Sequence, residues 1–409
     1  MNLLFVSSLY PPLSIGGYEE SCFDMVEALK RKGHSVHVLT SSFKSGEAPE
    51  DKGVSRLLKV RANWGLPPIG ATPWVEHRRL ALELHNRRVA IGLLRAMAPD
   101  AVVIWNAGHL GQLLVLAINR RVPTFYRPAD LWLEPLLGPV RRPARKQPAG
   151  TRCYHAALRM VVKFRNNIRS ERLIFVSASL RRQYAAAGAD VLASPVVHNG
   201  VSSDMFPLQR QRILSGLRPH RLVYVGRISP EKGITTLMKG LAELRRQPSF
   251  LDTTASVFGV FQGDGYEDQL QRLIRELGLR DAVTFAGRRP REEIAAVYGD
   301  HDVLVFPSEW QEPFGRTLIE AMSTAIPVLS TLAGGPSEFV KDNENAVVFE
   351  AGNARDLSDK LAWMLSRPQI TAEIGRRASS EVRRRFDLGA QARLFEGVLS
   401  NGRPLPSFS

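Results

Sequence analysis

Two pairs of charged residues in the second half of this 409-residue chain could do chemistry. Arg227 and Lys232 lie in the turn GRISPEKG after an apolar run, where a guanidinium fork and an ammonium point charge can neutralise a diphosphate. Glu312 precedes a predicted helix and Glu320 lies two turns into it, so their carboxylates can hold separate hydroxyl groups along one elongated ligand. The same two acids would also permit hydrolysis by a general acid and a general base.

The starts of two predicted helices offer backbone N–H groups as further donors. Gly16 and Gly17 follow the first apolar run and open a helix, so the backbone can approach a ligand closely and offer N–H groups to an anion. No G-x-G-x-x-G occurs there, so the dinucleotide fingerprint is absent. Pro313 suits the first turn of the second helix, whose N–H groups could face a phosphate between the two glutamates.

Apolar runs alternate with helix-like stretches along the whole chain, in two sets of six. Each run is nearly continuously apolar, which is typical of strands buried on both faces of a parallel sheet. The runs of the first half are Leu3–Val6, Val36–Thr40, Ala101–Trp105, Val122–Tyr126, Leu173–Val176 and Val196–His198. Those of the second half are Leu222–Val225, Ser256–Phe261, Val283–Ala286, Val303–Phe306, Val328–Ser330 and Ala346–Phe349.

The alternation predicts the α/β class. A single sheet of twelve strands would exceed the usual size, so two doubly wound domains are the better interpretation. The Asn199–Gly200 turn after the sixth run marks the boundary, giving an N-terminal domain of residues 1–198 and a C-terminal domain that begins at residue 199. Ligands of such domains bind at the carboxyl ends of the strands, where both charged pairs lie.

Composition excludes several classes of protein. With 44% hydrophobic and 23% charged residues, the chain is neither disordered nor collagen-like, and two cysteines, Cys22 and Cys153, are too few for a disulfide framework. The sequence has neither an apolar stretch of about 18 residues nor a signal-peptide pattern, so we expect a cytoplasmic protein. The net charge of +15 favours anionic partners.

Much of that charge lies in one segment. Residues 141–172 contain ten Arg or Lys residues and one acid, Glu171. Apolar residues are interleaved with the bases from Tyr154 to Ile168, so the segment could lie on an anionic membrane surface as a peripheral contact. A solvated basic helix and loop, or a site for an acidic acceptor, explains the composition equally well.

The sequence Asp300-His301-Asp302 contains a D-x-D pattern that could hold a metal ion. It leads directly into the buried run Val303–Phe306, so a loop before a strand is the preferred interpretation. We therefore predict no metal and no cofactor.

These motifs together resemble the retaining glycosyltransferases of family 4, also described as glycosyl transferases group 1. The resemblance rests on GRISPEKG and EPFGRTLIE, and it extends in order through YPPLSIGGYEE, FVSASLRRQY, VVHNGVSSDMF, FQGDGYEDQL, FAGRRPREEI and STLAGGPSEFVKDNENAVVF. It implies the GT-B fold, in which two facing Rossmann-like domains enclose an interdomain cleft. It also implies a donor-binding domain over residues 199–384 and a C-terminal helix, about 385–409, that rejoins the N-terminal, acceptor-side domain.

The resemblance also implies roles for individual residues. Arg227 and Lys232 would bind the diphosphate of a nucleotide-sugar donor, Glu320 its ribose and Glu312 its sugar. The implied catalytic residues are His109, Arg227, Lys232 and Glu312. The implied donor-binding residues are Gly16, Gly17, Gly226, Arg227, Lys232, Arg288, Phe314, Gly315, Thr317 and Glu320, with the backbone near Arg288 and Arg289 lining the base pocket.

The acceptor side departs from the family pattern. YRPADLW resembles the family's H-D-x-W stretch, but Ala129 stands where histidine is common, and Asp130 is the candidate contact to the acceptor. A lipid-linked or cell-surface glycan precursor is the expected acceptor class, because of the basic segment 141–172.

Rival functions remain at this stage. A non-catalytic bilobal protein could bind sugar or nucleic acid, although no aromatic–basic RNA motif is present and we expect no nucleic-acid partner. A GT-B phosphorylase or sugar-nucleotide epimerase is a related alternative.

Overall fold

The computed structural model describes residues 1–43, 51–60, 73–133, 137, 168–262 and 265–401, with side chains omitted over 73–79. The chain forms two compact units. The first comprises Met1–His198 with Gln391–Ser409, and the second comprises Asn199–Ala390. Most of the basic segment 141–172, and Cys153 within it, lie outside the described residues.

The first unit contains a parallel sheet with the strand order β3-β2-β1-β4-β5 in its described part. Its strands are β1 (Asn2–Ser7), β2 (Ser35–Ser41), β3 (Val54–Leu58), β4 (Ala101–Asn106) and β5 (Thr124–Tyr126). The described helices of this region are α1 (Gly17–Arg31), α2 (Pro73–Met97), α3 (Gln112–Asn119) and α4 (Ala178–Ala186). Since every neighbouring pair is parallel, helices must cross between the strands, as the α/β prediction requires.

The strand predictions for the first half hold in part. Four apolar runs form β1, β2, β4 and β5. The runs Leu173–Val176 and Val196–His198 form only single parallel bridges, Tyr126 to Leu173 and Phe175 to Val196, rather than regular strands. Conversely β3 was not predicted, because Ser55 and Arg56 interrupt its apolar residues, as is common for a strand at the edge of a sheet.

The second unit contains a parallel sheet in which β6 and β9 are central, with the order β11-β10-β9-β6-β7-β8 among its described residues. Its strands are β6 (Arg221–Val225), β7 (Thr254–Phe258), β8 (Val283–Gly287), β9 (Val303–Phe306), β10 (Val328–Ser330) and β11 (Val347–Val348). Its helices are α5 (Ile234–Arg245), α6 (Tyr266–Glu276), α7 (Arg291–Gly299), α8 (Arg316–Ser323), α9 (Ala354–Leu365) and α10 (Pro368–Arg385). All six apolar runs of the second half contribute to these strands.

An aromatic cluster anchors the segment before α8. The rings of Phe314, Phe339 and Phe386 are fully buried and lie 5.3–5.5 Å apart between centroids. Such offset or edge contacts add to the burial of apolar area. The cluster thereby fixes the backbone just before the helix that carries Glu320.

A last helix, α11 (Leu388–Asn401), packs on the first sheet. Phe395 of this helix is completely buried, and its ring lies 6.4 Å from that of Phe5 and 5.9 Å from that of Trp105. Burial of three large aromatic side chains explains why the end of the chain belongs to the first compact unit.

Acid should destabilise the second unit through His220, which lies almost fully buried at the start of β6. Burial, together with the charges of Arg218 and Arg212, lowers the pKa of His220 to about 4. The unfolded chain has an ordinary histidine pKa of about 6.5 and takes up a proton first. The contribution of neutral His220 to stability is therefore present above pH 6.5 and is lost as the pH falls towards 4.

Between pH 7.5 and pH 5, the free energy of unfolding should fall less in His220→Gln than in the wild type. The two decreases should differ by at most ~2 kcal/mol. Urea titrations of both proteins at the two pH values measure this difference. Asp302, whose pKa burial raises, is present in both proteins, and its Oδ2 lies 3.9 Å from Nδ1 of His220, so the difference between the proteins reports on this neighbouring pair. Equal pH dependence in the two proteins would contradict the assignment.

Candidate active site

The loops that follow β6 and β9 leave the same edge of the second sheet, because these strands are parallel neighbours with Leu222 opposite Val303. The first loop passes through Gly233, which has a φ of +72°, and a Cβ there would lie 1.8 Å from the carbonyl oxygen of Pro307 in the second loop. Only glycine allows this approach. The residue before it, Lys232, is thereby held against the second loop.

Lys232 and Glu312 form an ion pair at this edge. The ammonium Nζ lies 2.6 Å from Glu312 Oε1, and the two side chains are only 13% and 8% exposed. The buried hydroxyl of Ser308 donates a second hydrogen bond to the same oxygen, at 2.6 Å. Between the backbone of Glu312 and that of Gly334 there is a parallel bridge, so the acid is fixed through both its main chain and its side chain.

Arg227 lies in the first of these loops and is exposed. Its Nη1 donates to Gln262 Oε1 at 2.9 Å, and its carbonyl oxygen accepts a hydrogen bond from Tyr224 at 2.6 Å. Although partial burial opposes the shift, the Ser229 hydroxyl and then the charges of Arg227 and Lys232 lower the pKa of Glu231. Both cations therefore contribute to lowering the pKa of the same carboxylate.

Glu320 lies one turn into α8 rather than two, because the helix begins at Arg316 and leaves Pro313 outside it. The partners of Glu320 differ from those of Glu312. Its Oε1 accepts from Arg316 Nε at 2.8 Å and from Arg291 Nη2 at 3.0 Å. Glu312 and Glu320 are therefore held by different cations, Glu312 by Lys232 and Glu320 by two arginines.

The other predicted residues near α8 contribute mainly through the backbone. Gly315, with a φ of +90°, caps the helix, and Thr317 lies half-buried in its first turn. The side chain of Phe314 belongs to the buried aromatic cluster, so its ring cannot face a ligand and only its backbone is available.

Two other predicted positions follow strands β8 and β6. Arg288 and Arg289 are exposed directly after β8. The backbone carbonyl of Gly226, which follows β6, packs against Gly259. A Cβ on Gly259 would lie 1.8 Å from the carbonyl oxygen of Gly226.

The predicted residues of the first unit surround Tyr18 and the ends of β4 and β5. Gly16 caps α1, but its N–H donates to Glu19 Oε2 at 3.1 Å, so this donor already has a partner inside the protein. Because of this pairing, the N–H of Gly16 is not the free donor for an anion that the sequence predicts. His109 lies half-buried in the turn before α3. Asp130 is exposed and its carboxylate accepts from the backbone N–H of Trp132 at 2.8 Å.

Two residues that the sequence did not single out shape the segment around Asp130. The hydroxyl of Tyr18 lies 2.8 Å from the carbonyl oxygen of Arg127 and accepts from the indole N–H of Trp132 at 2.9 Å. Arg127 is completely buried, with its guanidinium 5.4 Å from the Trp105 ring centroid, and burial lowers its pKa to about 9. No local pattern marks such a buried arginine, since its partners are backbone carbonyl groups distant in sequence.

The D-x-D pattern has a structural explanation. Asp302 is buried and pairs with the guanidinium of Arg212, and it accepts the backbone N–H of Arg221 at 2.7 Å. Its carboxylate ties the start of β9 to that of β6. Within the described ranges, no group of three or more His, Cys, Asp or Glu side chains is arranged to hold a metal ion.

This architecture and site define a class of enzyme, and comparisons with known proteins agree. The family model for Glycosyltransferase Family 4 matches residues 15–204, and that for glycosyl transferases group 1 matches residues 206–381. The protein is therefore a glycosyltransferase with the GT-B fold. It belongs to the family 4 glycosyltransferases, as the sequence motifs implied.

Named relatives cover nearly the whole chain. The glycogen synthase of Mycobacterium tuberculosis is 26% identical in an alignment of 408 positions that covers 95% of this chain and 91% of that protein. The GDP-mannose-dependent alpha-(1-6)-phosphatidylinositol monomannoside mannosyltransferase of the same organism is 28% identical in an alignment of 381 positions that covers 89% of each protein. The crystal structure of Anabaena Alr3699/HepE in complex with UDP-glucose has a TM-score of 0.71 at 22% identity, covering 98% of this chain and 100% of that one.

None of the described helices is both long enough and apolar enough to cross a membrane.

The approach of the two loops predicts an unusually costly substitution at Gly233. Gly233→Ala adds a Cβ that collides with the backbone of Pro307, in addition to the strain of a positive φ. Gly216→Ala is the matched control, because Gly216 has a φ of +66° but nothing within 4 Å of the added Cβ. We expect about 1 kcal/mol of destabilisation for the control and ~3 kcal/mol or more for Gly233→Ala, measured by urea unfolding. Similar costs at both positions would refute the close approach.

Proposed function

We propose that the protein is a retaining glycosyltransferase that moves a sugar from a nucleoside-diphosphate sugar to a glycan or lipid-linked acceptor. The observation that carries the proposal is the Lys232–Glu312 ion pair, with Arg227 in the same loop as Lys232. A cationic group suited to phosphate thus adjoins an acid suited to sugar hydroxyls at the carboxyl ends of parallel strands.

In the proposed reaction, Arg227 and Lys232 stabilise the negative charge that develops on the departing phosphate. Lys232 has three N–H donors, so it can contact Glu312 and phosphate oxygens together. Glu312 accepts hydrogen bonds from hydroxyls of the donor sugar and fixes its orientation, while Glu320 binds the ribose. An oxygen of the leaving phosphate takes the proton of the attacking hydroxyl, so the acceptor enters on the face from which the nucleotide departs.

Residues of the first unit have proposed roles as well. Gly16 and Gly17 border the phosphates, and the N–H of Gly16 would keep Glu19 as its partner. His109 contacts the donor sugar or stabilises positive charge at its anomeric carbon. Asp130, which is exposed on a segment fixed by Tyr18, contacts the acceptor.

Similar proteins give two candidates for the base of the donor nucleotide. The Anabaena structure holds UDP-glucose, whereas the mannosyltransferase relative is named for GDP-mannose, so donors with both bases occur among proteins similar to this chain. The proposed base pocket lies at the exposed turn of Arg288 and Arg289. Binding assays with UDP-, GDP- and ADP-sugars decide the donor, because a ligand at about 100 times its Kd stabilises the folded protein by ~2.7 kcal/mol.

The proposed acceptor class follows from charge. The basic segment 141–172 would attract an anionic lipid surface or an acidic glycan, which favours a cytoplasmic enzyme working at the inner face of a membrane. Nucleic acid is not a proposed partner. Co-sedimentation with vesicles of increasing anionic lipid content tests the membrane contact.

Lys232→Ala should lower kcat/KM for the donor sugar by about 100-fold, because one cation is removed from the departing phosphate. The matched control is Lys239→Ala, an exposed lysine on α5, which should retain wild-type turnover. Initial rates with the donor selected by the binding screen measure both variants. Wild-type kcat/KM in Lys232→Ala would contradict the proposed role of this lysine.

Activity should persist in excess EDTA, because we propose that the side chains of Arg227 and Lys232 neutralise the diphosphate. The same assay is repeated after dialysis against the chelator and again after adding manganese. Loss of turnover that manganese restores would show that the reaction needs a divalent cation.

A further inference from the structure

The carboxylate of Glu320 is held by two guanidinium groups at a single oxygen. Arg316 Nε and Arg291 Nη2 lie 2.8 and 3.0 Å from Oε1, and the side chains of Arg316, Arg291 and Glu320 are 8%, 15% and 10% exposed. Within the residues that the structure describes, no hydrogen bond reaches Oε2 of Glu320. The carboxylate therefore has one oxygen with two N–H donors and one oxygen without a partner among those residues.

Helix stability does not account for this arrangement. Arg316 is the first residue of α8 and Arg291 is the first residue of α7, where the helix dipole is unfavourable for a cation. In addition, an arginine four residues before a glutamate is the weaker order for a pair on one helix. Residues that violate local preferences in this way often serve a site. Both arginines donate to Glu320 Oε1, so holding this carboxylate is one thing that the arrangement does.

Arg291 is itself fixed by packing. Its guanidinium carbon lies 5.4 Å from the ring centroid of Phe206, which is completely buried. The carbonyl oxygen of Phe206 accepts from Ser323 Oγ at 3.1 Å and from Arg383 at 2.9 Å, so the ring is tied to the end of α8 and to α10. The donors to Oε1 thus come from two elements that are both anchored in the second unit.

A carboxylate fixed through one oxygen presents the other in a defined direction. A glutamate side chain has three rotatable bonds, and ordering them on binding costs conformational entropy. If the bonds are already fixed before the ligand arrives, that cost is not part of the binding free energy. The unpaired lone-pair positions of Oε2 can accept hydrogen bonds from hydroxyl groups. A vicinal diol such as that of a ribose provides two such donors.

We propose that Arg291 and Arg316 are positioning residues that clamp Glu320 through Oε1 and direct Oε2 at the ribose hydroxyls of the nucleotide. This inference rests on the proposed function, in which Glu320 binds the ribose. It adds that selectivity for ribonucleotides over deoxyribonucleotides depends on the two arginines, although neither guanidinium needs to contact the ligand.

The test is the ratio of Kd values for a deoxyribonucleoside diphosphate and its ribonucleoside counterpart. The probe is whichever of UDP, GDP and ADP binds the wild type most tightly, together with the 2′-deoxy form of the same nucleotide, measured by calorimetry. We expect Arg316→Gln and Arg291→Gln each to reduce this ratio by about tenfold, since a charge-assisted bond that orients the acceptor is lost. Glu320→Gln should reduce the ratio at least as much.

Two further variants make the test specific. Arg246→Gln removes a guanidinium from an exposed Arg–Glu pair on the surface and should leave the ratio unchanged. The double variant Glu320→Gln/Arg316→Gln should have the ratio of Glu320→Gln alone, because the arginine acts through the glutamate. Thermal unfolding of each variant verifies that it is folded.

The outcomes separate this inference from the proposed function. If Glu320→Gln lowers the ratio while both arginine variants weaken the two nucleotides equally, the arginines have only a structural role and the inference is wrong. If Glu320→Gln keeps both the wild-type ratio and wild-type turnover, Glu320 does not bind the ribose and that part of the proposed function fails as well.

Discussion

The site depends on one constraint, the parallel pairing of β6 with β9 at the centre of the second sheet. Parallel neighbours end at the same edge, so the loops after Val225 and Phe306 must meet there. The absence of a side chain at Gly233 lets the two backbones touch, and the Lys232–Glu312 ion pair follows from that contact. A pair so little exposed contributes little net stability once its desolvation is counted. The ion pair instead fixes a cation and an acid next to each other.

The elements around this site were largely predictable because they are buried on both faces. Strands such as β6 and β9 must be almost wholly apolar, which leaves a clear signal in the sequence. The edge strand β3 gave no such signal, since one side of an edge strand meets water and tolerates residues such as Ser55 and Arg56. The run Leu173–Val176 gave a misleading signal, because apolar composition indicates burial but does not indicate regular hydrogen bonding between strands.

The charged residues of the site were predictable as members of motifs, but their partners were not. Glu312 and Glu320 are separated by a fixed interval on one segment, so the sequence alone connects them. Arg291 meets Glu320 from a different helix, 29 residues away, and Gln262 meets Arg227 across 35 residues. Only the path of the chain creates such contacts, and no local spacing encodes them. For the same reason the sequence suggested that Gly16 would offer its N–H to an anion, whereas Glu19 accepts it.

The two glutamates differ in the charge that surrounds them, and this difference suits different tasks. Glu312 is paired with one cation, Lys232, whereas Glu320 is paired with two arginines, Arg291 and Arg316. In the proposed reaction, a diphosphate shares the three N–H donors of Lys232 with Glu312, while Ser308 continues to hold Glu312 Oε1. Under the same proposal, Glu312 would become a stronger acceptor as the donor binds, because Lys232 would give part of its charge to the phosphate. Glu320 would keep its two arginines throughout, which suits the proposed binding of a ribose that does not react.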